Sequence, residues 1–94
     1  MFHILVVDDD KNTRQLIKAV LETENYIVIG ATDGEDALKV LDRSHIDLVI
    51  LDVMMPKMDG ITVLKTIRRH GNSVPVLLLT AKAEIDDRVE GLDS

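Results

Sequence analysis

Cysteine is absent from this sequence of 94 residues, which excludes a disulfide framework and any thiolate metal site and fits a reducing compartment. Positive charge is scarce: 11 Lys and Arg stand against 17 Asp and Glu, a formal net charge of −6. Binding nucleic acid through its phosphates requires clustered Lys and Arg, so cations are the expected ligands of this chain and nucleic acid is not. Long apolar runs are missing as well. The stretch from Ile4 to Val7 is far shorter than a signal-peptide core or a membrane span, and aspartates stop it; the chain therefore reads as cytoplasmic, with no membrane role. Neither G-x-G-x-x-G nor G-x-x-x-x-G-K-[ST] occurs, which sets aside the nucleotide-binding loops. No linker, low-complexity tract or sequence-level repeat interrupts the chain.

What remains is a balance of 46% apolar and 30% charged residues, that of a small soluble globular protein with a limited core. Apolar runs of strand length alternate with stretches of helical period, which predicts one α/β domain over residues 1–94 with a parallel sheet covered by helices. Phe2 to Val7 reads as a first strand, followed by a helix with Leu16, Ile17, Val20 and Leu21 facing inward. Tyr26 to Ala31 reads as a second strand, and Asp33 caps a helix whose buried stripe is Ala37, Leu38 and Leu41. Leu48 to Leu51 is continuous and apolar, as in a central strand covered on both faces. Asp59 and Gly60 open a third helix carrying Ile61, Leu64 and Ile67, which Gly71 ends. Pro75 to Leu79 is the fourth strand, and Ile85, Val89 and Leu92 recur at the period of a fourth helix.

In open α/β sheets ligands bind beyond the carboxyl ends of the strands. Here Asp8 and Asp9 follow the first strand, Asp52 follows the third and Thr80 the fourth. Carboxylates brought so close repel one another unless a cation joins them. Mg²⁺ suits the set, because it prefers hard oxygen ligands and commonly takes one or two carboxylates plus phosphate oxygens. A carboxylate held beside Mg²⁺ can attack a phosphoryl donor, and Asp52 is placed for that role. A single aspartate at a strand end or helix start is ordinarily a cap, and Asp10, Asp33 and Asp59 are read that way. Asp8, Asp9 and Asp52 stand apart because capping does not require three of them at one sheet edge. Thr80 alone is a weak signal, since Thr is common in strands. Met54, Met55 and Met58 are read as packing residues, because thioethers beside hard carboxylates make a poor copper site. His3, His45 and His70 lie on different elements without ligand spacing and receive no role.

Three segments, ILVVDDD from Ile4 to Asp10, LVILDVMMPKMDG from Leu48 to Gly60 and LLLTAK from Leu77 to Lys82, together resemble the receiver domain of bacterial two-component response regulators. The order of the motifs matches over the whole chain, and their flavour is similar to receivers joined to winged-helix transcription factors. The resemblance implies a flavodoxin-like parallel sheet in the strand order 2-1-3-4-5. It also implies Mg²⁺-dependent phosphorylation of Asp52 by a histidine kinase, with Asp8, Asp9, Asp52 and the backbone carbonyl of Met54 holding the metal and Thr80 binding the phosphoryl group. The function it implies is a phosphoacceptor switch of a phosphorelay, a regulatory domain rather than an enzyme, controlling transcription in a longer parent.

Members of that family carry a fifth strand with a lysine that pairs with the phosphoryl group, then a fifth helix. This sequence ends at Ser94 before them, and Lys82, two residues past Thr80, is not that lysine. With four strand-helix units the fourth strand is an edge, so self-association through Val76 to Leu79 is expected. Two rival functions follow from the same residues. A non-phosphorylated interaction module would bind Mg²⁺ and a partner without taking up phosphate. An aspartate-nucleophile phosphohydrolase needs an acid-base aspartate two residues after the nucleophile, where Met54 stands, so general acid catalysis would lack its group.

Overall fold

The computed structural model describes residues 1–55 and 59–79. Thr80, Lys82, Met58 and the helix expected over Ile85, Val89 and Leu92 lie outside the described residues. Within them the chain runs β1 (His3–Val7), α1 (Lys11–Glu22), β2 (Ile27–Ala31), α2 (Gly34–Arg43), β3 (Leu48–Asp52), α3 (Gly60–Arg69) and β4 (Val76–Leu79). The expected strands are present, with boundaries shifted by a residue.

Each helix begins on an aspartate whose carboxylate takes up a first-turn N–H. Asp10 accepts from Thr13 N, Asp33 from Asp36 N and Asp59 from Thr62 N, so all three residues read as caps are caps. The ends of α1 and α3 use left-handed residues. Past α3, Gly71 has φ +80°, and the Gly71 and Asn72 N–H groups donate to the Arg68 and Ile67 carbonyls, the paired bonds that close a helix through a left-handed residue. Asn25, with φ +68°, does the same after α1 through Asn25 N to Glu22 O and Tyr26 N to Leu21 O.

The strands pair in parallel in the order β2-β1-β3-β4, the first four positions of the order that the resemblance implied. Because side chains alternate along a strand, the sheet has two apolar faces. Leu5, Val7, Val49 and Leu51 point to one, where Ala37 and Val40 of α2 and Val63 and Ile67 of α3 cover them. Ile4, Val6, Val28 and Ile50 point to the other, under Ile17 and Leu21 of α1.

Two helices are phased differently from the apolar pattern. Leu16 and Val20 are 66% and 57% exposed, while Ile17 and Leu21 face the sheet. Both pairs are spaced four apart, but they form two lines offset around the helix, and only one line can meet a flat sheet. On α3 Ile61 is 41% exposed and the buried line is Gly60, Val63 and Ile67. In α2 the most buried positions are Gly34, Ala37 and Val40, with Leu38 and Leu41 at the flank.

Candidate functional site

The inner strands β1 and β3 pair Val7 with Leu51, so the residues beyond them emerge side by side at the carboxyl edge. One oxygen each from Asp8, Asp9 and Asp52 lies within 4.8 Å of the others. Asp8 and Asp52 are half-buried and Asp9 is exposed. The three residues read together from the sequence are brought together at this edge, and the donor set is all hard oxygen, which fits a Mg²⁺ ion.

Hydrogen bonds fix the cluster from both strands. Asp8 N donates to Ala31 O at 3.1 Å, the last rung between β1 and β2. The Asp8 carboxylate accepts the Asp10 N–H at 2.8 Å, tightening the turn into α1. On β3, Asp52 Oδ1 accepts the Met54 N–H at 3.0 Å, and Val53 N donates to Leu79 O at 2.8 Å. Met54 is thus beside the Asp52 carboxylate and is 52% exposed. Met55 is buried in the core and packs as expected, whereas Met54 does not.

The N-terminus of α3 closes on the same loop. Gly60 N donates to Val53 O at 3.0 Å, and the helix sits so near that a Cβ at position 60 would lie 2.6 Å from Asp52 O and 2.7 Å from Val53 Cα. Only glycine permits that approach without moving the backbone that carries Asp52.

Burial pushes the Asp8 carboxyl above its ordinary range; the Asp10 N–H opposes this, and the charges of Asp52, Asp9 and Asp10 add to the rise. The edge therefore holds negative charge at a cost that a bound cation would relieve.

Two features escaped sequence reasoning. Arg14 reaches back to the edge, its guanidinium donating to Asp8 O at 2.8 Å; the sequence shows only another exposed helical cation. At the opposite end of the sheet His3 and His45, given no role, gather around Asp47. Asp47 Oδ2 accepts the His3 N–H at 2.8 Å, and Asp47 Oδ1 lies 2.7 Å from His45 Nε2. A hollow of about 530 Å³ lies at that end between the segments entering β3 and β4, lined in part by Ser44, His45, Asp47 and Ser73. It shares no residue with the carboxylate cluster. Thr80 lies outside the described residues.

Comparison with known proteins bears on this edge. Residues 4–94 match the family described as the response regulator receiver domain. The chain is 52% identical over 93 residues to the transcriptional regulatory protein CpxR of Escherichia coli, a match covering 99% of this chain and 39% of that protein. It therefore spans well under half the length of that curated relative. Among solved structures it is similar to response regulator protein TrrA of Thermotoga maritima in complex with Mg(2+)-BeF, at 43% identity and a TM-score of 0.83, covering 88% of this chain and 72% of that one. A structure of histidine kinase ThkA in complex with TrrA matches at 42% identity and a TM-score of 0.83, covering 90% of this chain and 73% of that one. No helix among the described residues is long and apolar enough to cross a membrane.

Proposed function

This chain belongs to the response regulator receiver family, as the receiver domain of a two-component response regulator, and from that premise we propose that Asp52 accepts a phosphoryl group. The observation that carries the reading is the convergence of Asp8, Asp9 and Asp52 within 4.8 Å beyond β1 and β3. The donor is a phosphohistidine of a histidine kinase, the class of protein found with TrrA. An Asp52 oxygen bonds to phosphorus as the bond from phosphorus to the imidazole nitrogen breaks, and the electron pair leaves with the imidazole.

Asp8, Asp9, Asp52 and the Met54 carbonyl would hold Mg²⁺. Bound there, the ion supplies neutralisation of charge building on the transferring oxygens. The chain's own part is positioning. The Met54 N–H fixes the rotation of the Asp52 carboxylate and the Asp10 N–H fixes that of Asp8, while Thr80 would bind the phosphoryl group. The product is a signal, with the added charge biasing the surface near β4, and no acid-base residue stands at Met54 to turn the site over as a hydrolase. In the longer parent the output is transcriptional, in keeping with the transcriptional regulatory protein CpxR; the setting is cytoplasmic, and nucleic acid is not bound by this chain.

Beryllofluoride, a phosphoryl mimic, tests the reading without a kinase. With Mg²⁺ present it should shift the amide resonances of Asp8 to Asp10 and of Asp52 to Met54, and Asp52→Asn should abolish the shifts. Identical shifts in the variant would sink the proposal. Pairing of two copies through β4 belongs to the same reading. β4 is the outer strand among the described residues, Leu77 on it is 51% exposed, and unpaired strand edges recruit partners. Light scattering should give a mass that rises with concentration, and a strictly monomeric mass would contradict it.

A further inference from the structure

We propose that Arg14 is a positioning residue for the acidic edge, holding the Asp8 carbonyl so that the turn from Asp8 to Asp10 presents its carboxylates toward Asp52. The inference rests on the metal-site reading above. Asp8 is where the β1–β2 ladder stops: its N–H still finds Ala31 O, but its carbonyl accepts instead from the Arg14 guanidinium, at 2.8 Å and partly buried. A buried carbonyl without a donor is costly, and this donor comes from the first turns of the helix that the same turn launches. Backbone and side chain are thereby tied together on both sides of Asp9.

The path of Arg14 is built into the sheet. Its stem crosses β2 at Gly30, where an added Cβ would lie 3.6 Å from Arg14 Cδ and 3.7 Å from Nε. A methyl group just fits, and any branched side chain would occupy the stem's place. Lys11, Arg14 and Lys18 line one groove of about 180 Å³ with Val6, Val28 and Gly30, yet among the described residues Arg14 alone of these cations bonds to Asp8.

The sign of the effect separates positioning from simple charge. A cation beside a cation site repels the ion, so removing it by charge alone tightens Mg²⁺ binding. Removing a residue that orients metal ligands weakens it, by roughly ten- to a hundredfold in typical sites. Mg²⁺ titration calorimetry, run well below the unfolding temperature, distinguishes the two. Arg14→Met, which keeps the stem and loses the donors, should weaken Mg²⁺ about tenfold, and Arg14→Lys, which keeps the charge and a donor, should recover most of that loss. Lys18→Met removes a charge from the same groove and should not weaken binding. Gly30→Val leaves Arg14 chemically intact and suits a strand, but displaces the stem, so it should reproduce the Arg14→Met loss even if Arg14→Met itself fails to fold. Undiminished affinity in Arg14→Met or in Gly30→Val would overturn the positioning role while leaving the metal site standing. Absence of Mg²⁺ binding by the parent chain would remove the metal reading and this role together.

Discussion

The carboxylates of this chain divide by what they touch. Asp10, Asp33 and Asp59 each face a first-turn N–H, and that pattern is visible in sequence because a cap and the helix it opens are neighbours along the chain. Asp8, Asp9 and Asp52 were legible for another reason: parallel strands must deliver their carboxyl ends to one edge. Arg14 was not legible, since its partner is a backbone carbonyl six residues earlier and its route depends on Gly30 across the sheet. Gly60 was readable as a helix opener, but its closeness to Asp52 follows from how α3 packs on the Asp52–Val53 backbone. Gly60→Ala should destabilise the fold by about 1–3 kcal/mol, the usual range for overpacking, because the nearest atoms are backbone that cannot rotate aside. It should also blunt the beryllofluoride response. Chemical denaturation checks the first effect and the amide shifts of Asp52 to Met54 the second; unchanged stability would mean the α3 N-terminus yields easily.

At the scale of elements the kinds and order were readable and the helical phase was not. Alternation of apolar runs and helical period fixes strand and helix, but an apolar stripe wider than the sheet contact leaves the buried line undetermined. Leu16 and Val20 look as much like core as Ile17 and Leu21 until the sheet chooses. On α3, Val63 and Ile67 are 0% and 1% exposed while Ile61 is 41% exposed. Ile67→Ala should therefore cost about 2–5 kcal/mol. Leu16→Ala should stay within about 0.5 kcal/mol, as surface changes do. Urea unfolding of the two variants decides it, and equal losses would place the buried face of α1 on the wrong line.

For the whole molecule, carboxylates of both signs set the response to acid, with Asp10, Asp47 and Asp59 lowered on folding and Asp8 raised. At the amino end the His3 N–H, and then the His45 ring, hold the Asp47 carboxyl below its usual range; at the cap of α3 the Thr62 N–H does the same for Asp59. Groups lowered on folding stabilise the protein above the unfolded value of about 3.9 and lose that contribution as pH falls through their folded values. Asp8 has the reverse sign, since its raised folded value makes its ionised form a burden above that point. Stability should therefore fall below about pH 4, and Asp47→Asn should flatten that fall, measured by urea midpoints across a pH series; an unchanged slope would exclude Asp47 as a contributor. Sequence reasoning assigned this end no role: His3 meets Asp47 only where β1 lies beside β3, and the local contact of His45 with Asp47, two residues on, has no ligand spacing to mark it.

The most direct test of Asp52 as acceptor is intact mass after incubation of the folded chain with Mg²⁺ and a small acyl-phosphate donor, beside Asp52→Ala. A single magnesium-dependent phosphoryl adduct, absent from the variant, is the predicted result. No adduct on protein shown to be folded, or an adduct that survives Asp52→Ala, would contradict it.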